Sequence, residues 1–181
     1  MEENGRRVAG RTLYKAEPVL RPRPGDYGLM AMPGAPAYAD ATLLGWRFSH
    51  AVVSVGDGRI VEAWFNGVRE GSLTEYAAQD ISWFGVRRAP DGAEVSQLRR
   101  DRVAEYAISR LGQPYDYLAW PALFVMDYWR LDLSALYAYD SVASCSGLVA
   151  KAYQAADLDL IDKPVLNLVT PDELDPGRGG D

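Results

Sequence analysis

The chain has a single cysteine and a single histidine among its 181 residues. One cysteine cannot form an intrachain disulfide, so the fold owes nothing to oxidation. The same scarcity removes every multi-cysteine zinc arrangement, and one histidine leaves too few soft ligands for a zinc site, so neither a metal nor another cofactor is expected. Positive charge is also short. A net charge of −6 argues against nucleic-acid binding, which needs a basic face. Long apolar runs are absent too: the longest, Tyr117 to Trp129, contains Pro121 and Asp127 and is too short to span a bilayer. The opening residues, Met-Glu-Glu-Asn-Gly-Arg-Arg, are charged, with no apolar core of signal-peptide length behind them. The expectation is a protein with no membrane span, cytoplasmic as synthesised.

What is present is an ordinary globular composition. Hydrophobic residues at 48% and charged residues at 24% can build a real core in one domain of this length. Residues 1 to 22, rich in Arg and Pro, read as a loose arm, and 175 to 181 as a loose tail. That leaves a domain over 23 to 174. Within it Tyr27 to Met32 reads as a strand, and His50 to Val55 and Arg59 to Phe65 flank the turn residues Gly56-Asp-Gly58 as a hairpin. Ile81 to Arg88 reads as a further strand. The period then becomes helical. Ser96 can cap a helix carrying Ala104, Ile108 and Leu111, and Cys145 to Ala156 repeats the pattern through Leu148, Val149, Ala152 and Tyr153. Thr170-Pro-Asp-Glu173 is a capping-box signature with Pro at the first helical position. Strands in the middle followed by helices predict an α+β domain.

The two scarce residues sit where chemistry would want them. Cys145 begins a helical pattern in Ser-Cys-Ser-Gly-Leu-Val, and His50 opens an apolar strand. A helix N-terminus and a nearby imidazole both lower a thiol's pKa, which makes it a nucleophile. A lone cysteine is more often a small buried hydrophobe, and a lone histidine is often a hydrogen-bonded structural residue. The flanking sequence favours chemistry over those plainer readings. Glu62, on the facing strand, is the candidate to accept from the imidazole nitrogen that faces away from sulfur; alone it could be a surface carboxylate. An oxyanion hole would use the Cys145 backbone N–H and a side-chain donor, either Tyr139 or Tyr115. Ser144 and Ser146 have no second histidine to serve them, which disfavours a serine triad. Asp26 reads as a buttress for the sheet or a turn. The aromatic residues from Tyr115 to Tyr139 read mainly as core, with some of them open to line a substrate cleft, and the Arg87-Arg88 and Arg99-Arg100 pairs read as solvated faces.

Gly112-Gln-Pro-Tyr-Asp116, Cys145-Ser-Gly-Leu-Val149 and Ala152-Tyr153 resemble the nucleophile half of NlpC-type cysteine peptidases. Pro24-Gly-Asp26 and the run from His50 to Ala63 resemble the histidine half. The halves come in reversed order, which resembles the circularly permuted branch of this papain-like superfamily, typified by YiiX- and YaeF-like hydrolases. Thr170-Pro-Asp172 is similar to a C-terminal feature of that branch. The resemblance implies a permuted papain-like fold, a central antiparallel sheet against helices, the cysteine at a helix N-terminus and an acidic residue near Glu62 as third member. It also implies a thiol-dependent hydrolase of amide bonds, a peptidase or amidase whose usual substrate in the ordinary family is cell-wall peptide. Reaching the wall would then take a phage particle, a secretion assembly or lysis. Two alternatives stay open: a lipid or acyl-chain acyltransferase or esterase, and a catalytically silent structural or binding subunit that keeps the fold.

Overall fold

Along β5 (His50–Gly56) six successive residues are buried, polar ones included, which is the mark of a strand covered on both faces. In the computed structural model, which describes residues 5–8, 11–34, 45–129, 131 and 141–177, this strand lies inside a six-stranded sheet. The other strands are β3 (Glu17–Pro18), β4 (Tyr27–Met30), β6 (Arg59–Trp64), β7 (Gly67–Ser72) and β8 (Ile81–Gly85), ordered β3-β8-β4-β5-β6-β7 with every pair antiparallel. Period-2 alternation divides its side chains. Ala51, Val53, Val55, Val61 and Ala63 join the main core; Met30, Val52 and Ile60 form a smaller cluster with Tyr76.

Among the described residues three α-helices accompany the sheet: α1 (Gln97–Ser109), α2 (Ala119–Trp129) and α3 (Cys145–Ala155). α3 is buried along nearly its whole length and packs against β5, β6 and α1. Among the described residues no helix is long and apolar enough to cross a membrane.

The hairpin β5–β6 turns at Gly56-Asp57-Gly58, all three at positive φ, where glycine is unstrained and Asp is tolerated. Ser96 caps α1 by accepting from the Arg99 N–H. The buried face of α1 is Val103, Ala104 and Ala107, so the predicted stripe is correct only at Ala104. Ile108 and Leu111 lie outside it, each about two-fifths exposed. Small residues face inward because α1 lies close against α3, and the bulkier pair falls at the rim.

Four further features depart from the sequence reading. Part of the stretch read as a loose arm, 1 to 22, is paired: β1 (Gly5–Val8) and β2 (Arg11–Tyr14) form an antiparallel hairpin. Its end is anchored by the Tyr14 N–H donating to the Asp159 carbonyl at 2.7 Å and by buried Ala16. At the other end the chain is described to Gly177, and 178–181 lie outside the described residues. β7 escaped the reading because Val68 is its only large apolar residue; it is an edge strand, where charge is expected. Of the aromatic stretch read as core, the described part forms α2 and its approach: Ala122 and Leu123 are buried, while Tyr117, Tyr128 and Trp129 are mostly exposed, and 132–139 lie outside the described residues. Asp116 starts this helix by accepting from the Leu118 and Ala119 N–H groups. Finally, Arg87 is no solvated residue: its two terminal nitrogens grip fully buried Asp26 at 2.7 and 2.6 Å. Asp26 also accepts from the Arg23 N–H, so it buttresses the entry to β4, as expected of it.

Candidate functional site

His50 is the first residue of β5, and the backbone ahead of it is pinned. The Phe48 and Arg47 N–H groups donate to the Asp172 carboxylate at 2.6 and 3.0 Å, and the Ser49 N–H donates to the Met30 carbonyl. Asp172 comes from the turn Pro171–Leu174, whose capping box, Thr170 with Glu173, forms as its sequence predicts. The motif makes a single short 3-10 turn, because Asp175 returns to extended backbone directly after it.

Cys145 is the first residue of α3. Ser144 caps this helix by accepting from the Gly147 N–H at 3.1 Å, and its hydroxyl donates to the Asn167 carbonyl at 2.9 Å. Ser146 donates to the Val169 carbonyl at 2.5 Å. Gly147 is obligatory at this approach: a Cβ there would stand 2.5 Å from Ser144 Oγ and 2.9 Å from the Leu166 carbonyl oxygen. The flanking serines therefore tie the helix start to the segment 166–169 and have no nucleophilic part.

These two anchored ends meet. The Cys145 thiol is hydrogen-bonded to the His50 ring, and His50 Nε2 lies 2.6 Å from Glu62 Oε2, which leaves Nδ1 to face sulfur. All three residues are buried. Glu62 is held on both oxygens: the Tyr76 hydroxyl donates to Oε2 at 2.6 Å, and Arg69 Nη2 lies 2.7 Å from Oε1. The edge of Trp64 packs on the His50 ring with centroids 5.0 Å apart.

Burial alone would lower the His50 pKa, but the bonds to Cys145 and Glu62 and their negative charges push it up to about 9. Burial pushes the thiol up; the imidazole bond and charge, with the backbone N–H groups of Ala51 and Ser146, more than reverse this and hold it below its ordinary value. Burial likewise acts to raise Glu62, and His50, Tyr76 and Arg69 together bring it below the usual carboxylate range. The Tyr76 phenol is driven upward by burial and by its bond to Glu62, so it stays a donor. The three shifts agree in direction: each favours the charged form of its group, thiolate, imidazolium and carboxylate.

Of the two tyrosines considered for the oxyanion hole, Tyr139 lies outside the described residues. Tyr115 is half-buried beside Ala143, in an aromatic series that starts at His50 and runs through Trp64, Phe65 and Tyr115 to Tyr117. Sequence reasoning missed Arg69 and Tyr76. The signal for Arg69 was cross-strand pairing: Arg69 stands directly opposite Glu62 in the β6–β7 register, which is visible once β7 is recognised.

No protein-family model and no curated protein matches the chain. Among solved structures it is similar to the crystal structure of the metalloprotein yiiX from Escherichia coli O157:H7, with a TM-score of 0.50 and 22% sequence identity. The match covers 75% of this chain and 66% of that one, so this chain spans just under two thirds of that protein's length. The likeness is one of fold: the α+β architecture is shared in part with that protein. Among the described residues no three His, Cys, Asp or Glu side chains converge as metal ligands. Cys145, His50 and Glu62 are metal-ligand types, but they hydrogen-bond to one another in series, so their donor atoms do not converge on a common point.

Proposed function

We propose that the chain is a thiol-dependent hydrolase of amide bonds, a peptidase or amidase built on the papain-like fold with its histidine half first. The observation that carries this reading is the hydrogen bond between the only cysteine and the only histidine, with Glu62 on the second imidazole nitrogen. The Cys145 thiolate attacks the carbonyl carbon. The oxyanion that forms is stabilised by the Cys145 backbone N–H and by a tyrosine hydroxyl, Tyr115 or Tyr139. His50 Nδ1–H gives its proton to the leaving amine as the C–N bond breaks, leaving a thioester and neutral imidazole. Water then attacks the thioester, His50 takes its proton, and the carboxylic acid departs as thiolate and imidazolium are restored. Glu62 keeps the ring oriented and balances its charge throughout. The substrate class that the resemblance implies is cell-wall peptide.

A second reading draws on one observation. The aromatic series beside His50 includes Phe65 and ends at Tyr117, 55% and 64% exposed, a surface suited to an apolar acyl group. Labelling wild type and Cys145→Ala with an activity-based thiol probe tests the common core. Covalent labelling of wild type alone is expected; its absence leaves a binding subunit. Turnover of muropeptides against acyl esters then separates the two substrate classes.

A further inference from the structure

The chain Cys145–His50–Glu62 contains two buried anions and one cation when ionised, an imbalance that a protein interior tolerates poorly. A second cation arrives from β7. Arg69 pairs with Glu62 Oε1 at 2.7 Å, remains one-third exposed, and shares the same nitrogen with Glu75 at 3.1 Å. Glu75 is the capping-box residue of the turn Leu73–Tyr76, its Oε1 accepting from the Ser72 N–H at 2.9 Å, and the next residue is Tyr76. Arg69, Glu75 and Tyr76 therefore enter the site as one unit, β7 and its terminal turn, in a stretch beyond the histidine-half motif that ends at Ala63. Gly71 belongs to the same unit: a Cβ there would come within 3.2 Å of Glu62 Oε1.

We propose that Arg69 and Tyr76 are positioning residues of the nucleophile system: together they fix the Glu62 carboxylate against His50, and Arg69 supplies the countercharge for the second buried anion. This rests on the thiol-hydrolase reading and adds two members to it. The charged and titratable groups facing Glu62 are His50 from β5, Arg69 from β7, Tyr76 and Glu75 from the turn, and Cys145 of α3 through His50. The sign of losing Arg69 is the same by either route. If Glu62 stays ionised, an unbalanced negative charge disfavours the thiolate. If Glu62 takes up a proton, the imidazolium loses its partner and the thiolate loses the imidazolium.

The test is the pH dependence of Cys145 alkylation by iodoacetamide, which needs no substrate. Arg69→Gln is expected to move the midpoint upward by about one pH unit, so that alkylation one unit below the wild-type midpoint slows roughly tenfold. Arg69→Lys should restore most of the rate, and Tyr76→Phe should shift the curve the same way by less. Arg59→Gln, at an exposed pair with Glu70, should leave the curve in place. Superimposable curves for wild type, Arg69→Gln and Tyr76→Phe, with only the urea midpoint reduced, would overturn the proposal. If Arg69→Gln does not fold, Arg69→Lys and Tyr76→Phe decide it by the same readout. The underlying hydrolase reading fails differently: there the wild-type curve itself sits at the ordinary thiol value and coincides with that of His50→Ala.

Discussion

His50 has two ring nitrogens, and the site engages both. Its proton is held between a sulfur and a carboxylate, so hydrolysis should have an upper limit near pH 9, where the imidazolium loses the proton owed to the leaving group. A pH–rate profile checks this, and Glu62→Gln should lower that limit along with kcat. Glu62 also links the site to stability. Its folded pKa is depressed, so its contribution is present above the ordinary carboxylate value of about 4.3 and lost as pH falls through the lower folded one. Urea midpoints measured from pH 6 down to 3 should therefore fall more steeply for wild type than for Glu62→Gln. Cys145 and His50 are legible as a pair in the sequence because each is unique and each has a telling neighbourhood. Glu62 is legible because a two-strand hairpin fixes which residues return beside His50. Arg69 and Tyr76 are not, because their part depends on a third strand whose composition carries no alternation.

The segment 166–174 has a function that its own sequence does not disclose. Ser144 and Ser146 donate to its carbonyls from the helix bearing Cys145, and Asp172 receives the backbone ahead of His50. One short strap thus fixes both partners of the pair. Asp172→Ala should cost roughly 1–3 kcal/mol, because it orphans the buried Phe48 N–H and the Arg47 N–H, and should also slow Cys145 alkylation at neutral pH. Urea unfolding and alkylation kinetics on the same sample separate the two effects. Gly147→Ala should cost about 1–3 kcal/mol through overpacking, since the Leu166 carbonyl it meets is backbone and yields little. The sequence shows the capping boxes and the helix starts, whose signals are local. It does not show which distant carbonyls the caps will find, because those are fixed only when the elements pack.

Across the molecule, the links that hold the layers together are buried polar contacts between distant segments. Asp26 to Arg87 joins β4 to the residues after β8, the Tyr153 hydroxyl donates to the Gly25 carbonyl, and the Tyr27 hydroxyl donates to the Leu174 carbonyl. Removing the cation by Arg87→Met leaves Asp26 as a buried, uncompensated charge and should lower stability by about 3 kcal/mol, read from denaturant unfolding at pH 7. Tyr27→Phe removes one buried bond and should cost only about 1 kcal/mol. The α+β class follows from the change of hydrophobic period along the chain, which is why it is readable without a structure. The hairpin of the N-terminal arm and the partly exposed helix α2 are not, since Arg and Pro content masks the first and the second has no clean apolar stripe.

The strap also imposes an order in time. Synthesis runs from the strand of His50, through Arg69, to the helix of Cys145, and only then to Asn167, Val169 and Asp172. A nascent chain that already holds both Cys145 and His50 still lacks the hydrogen bonds that seat them. On the thiol-hydrolase reading, Cys145 is seated against His50 only after residues 166–172 have been made, so its reactivity would follow folding and not precede it.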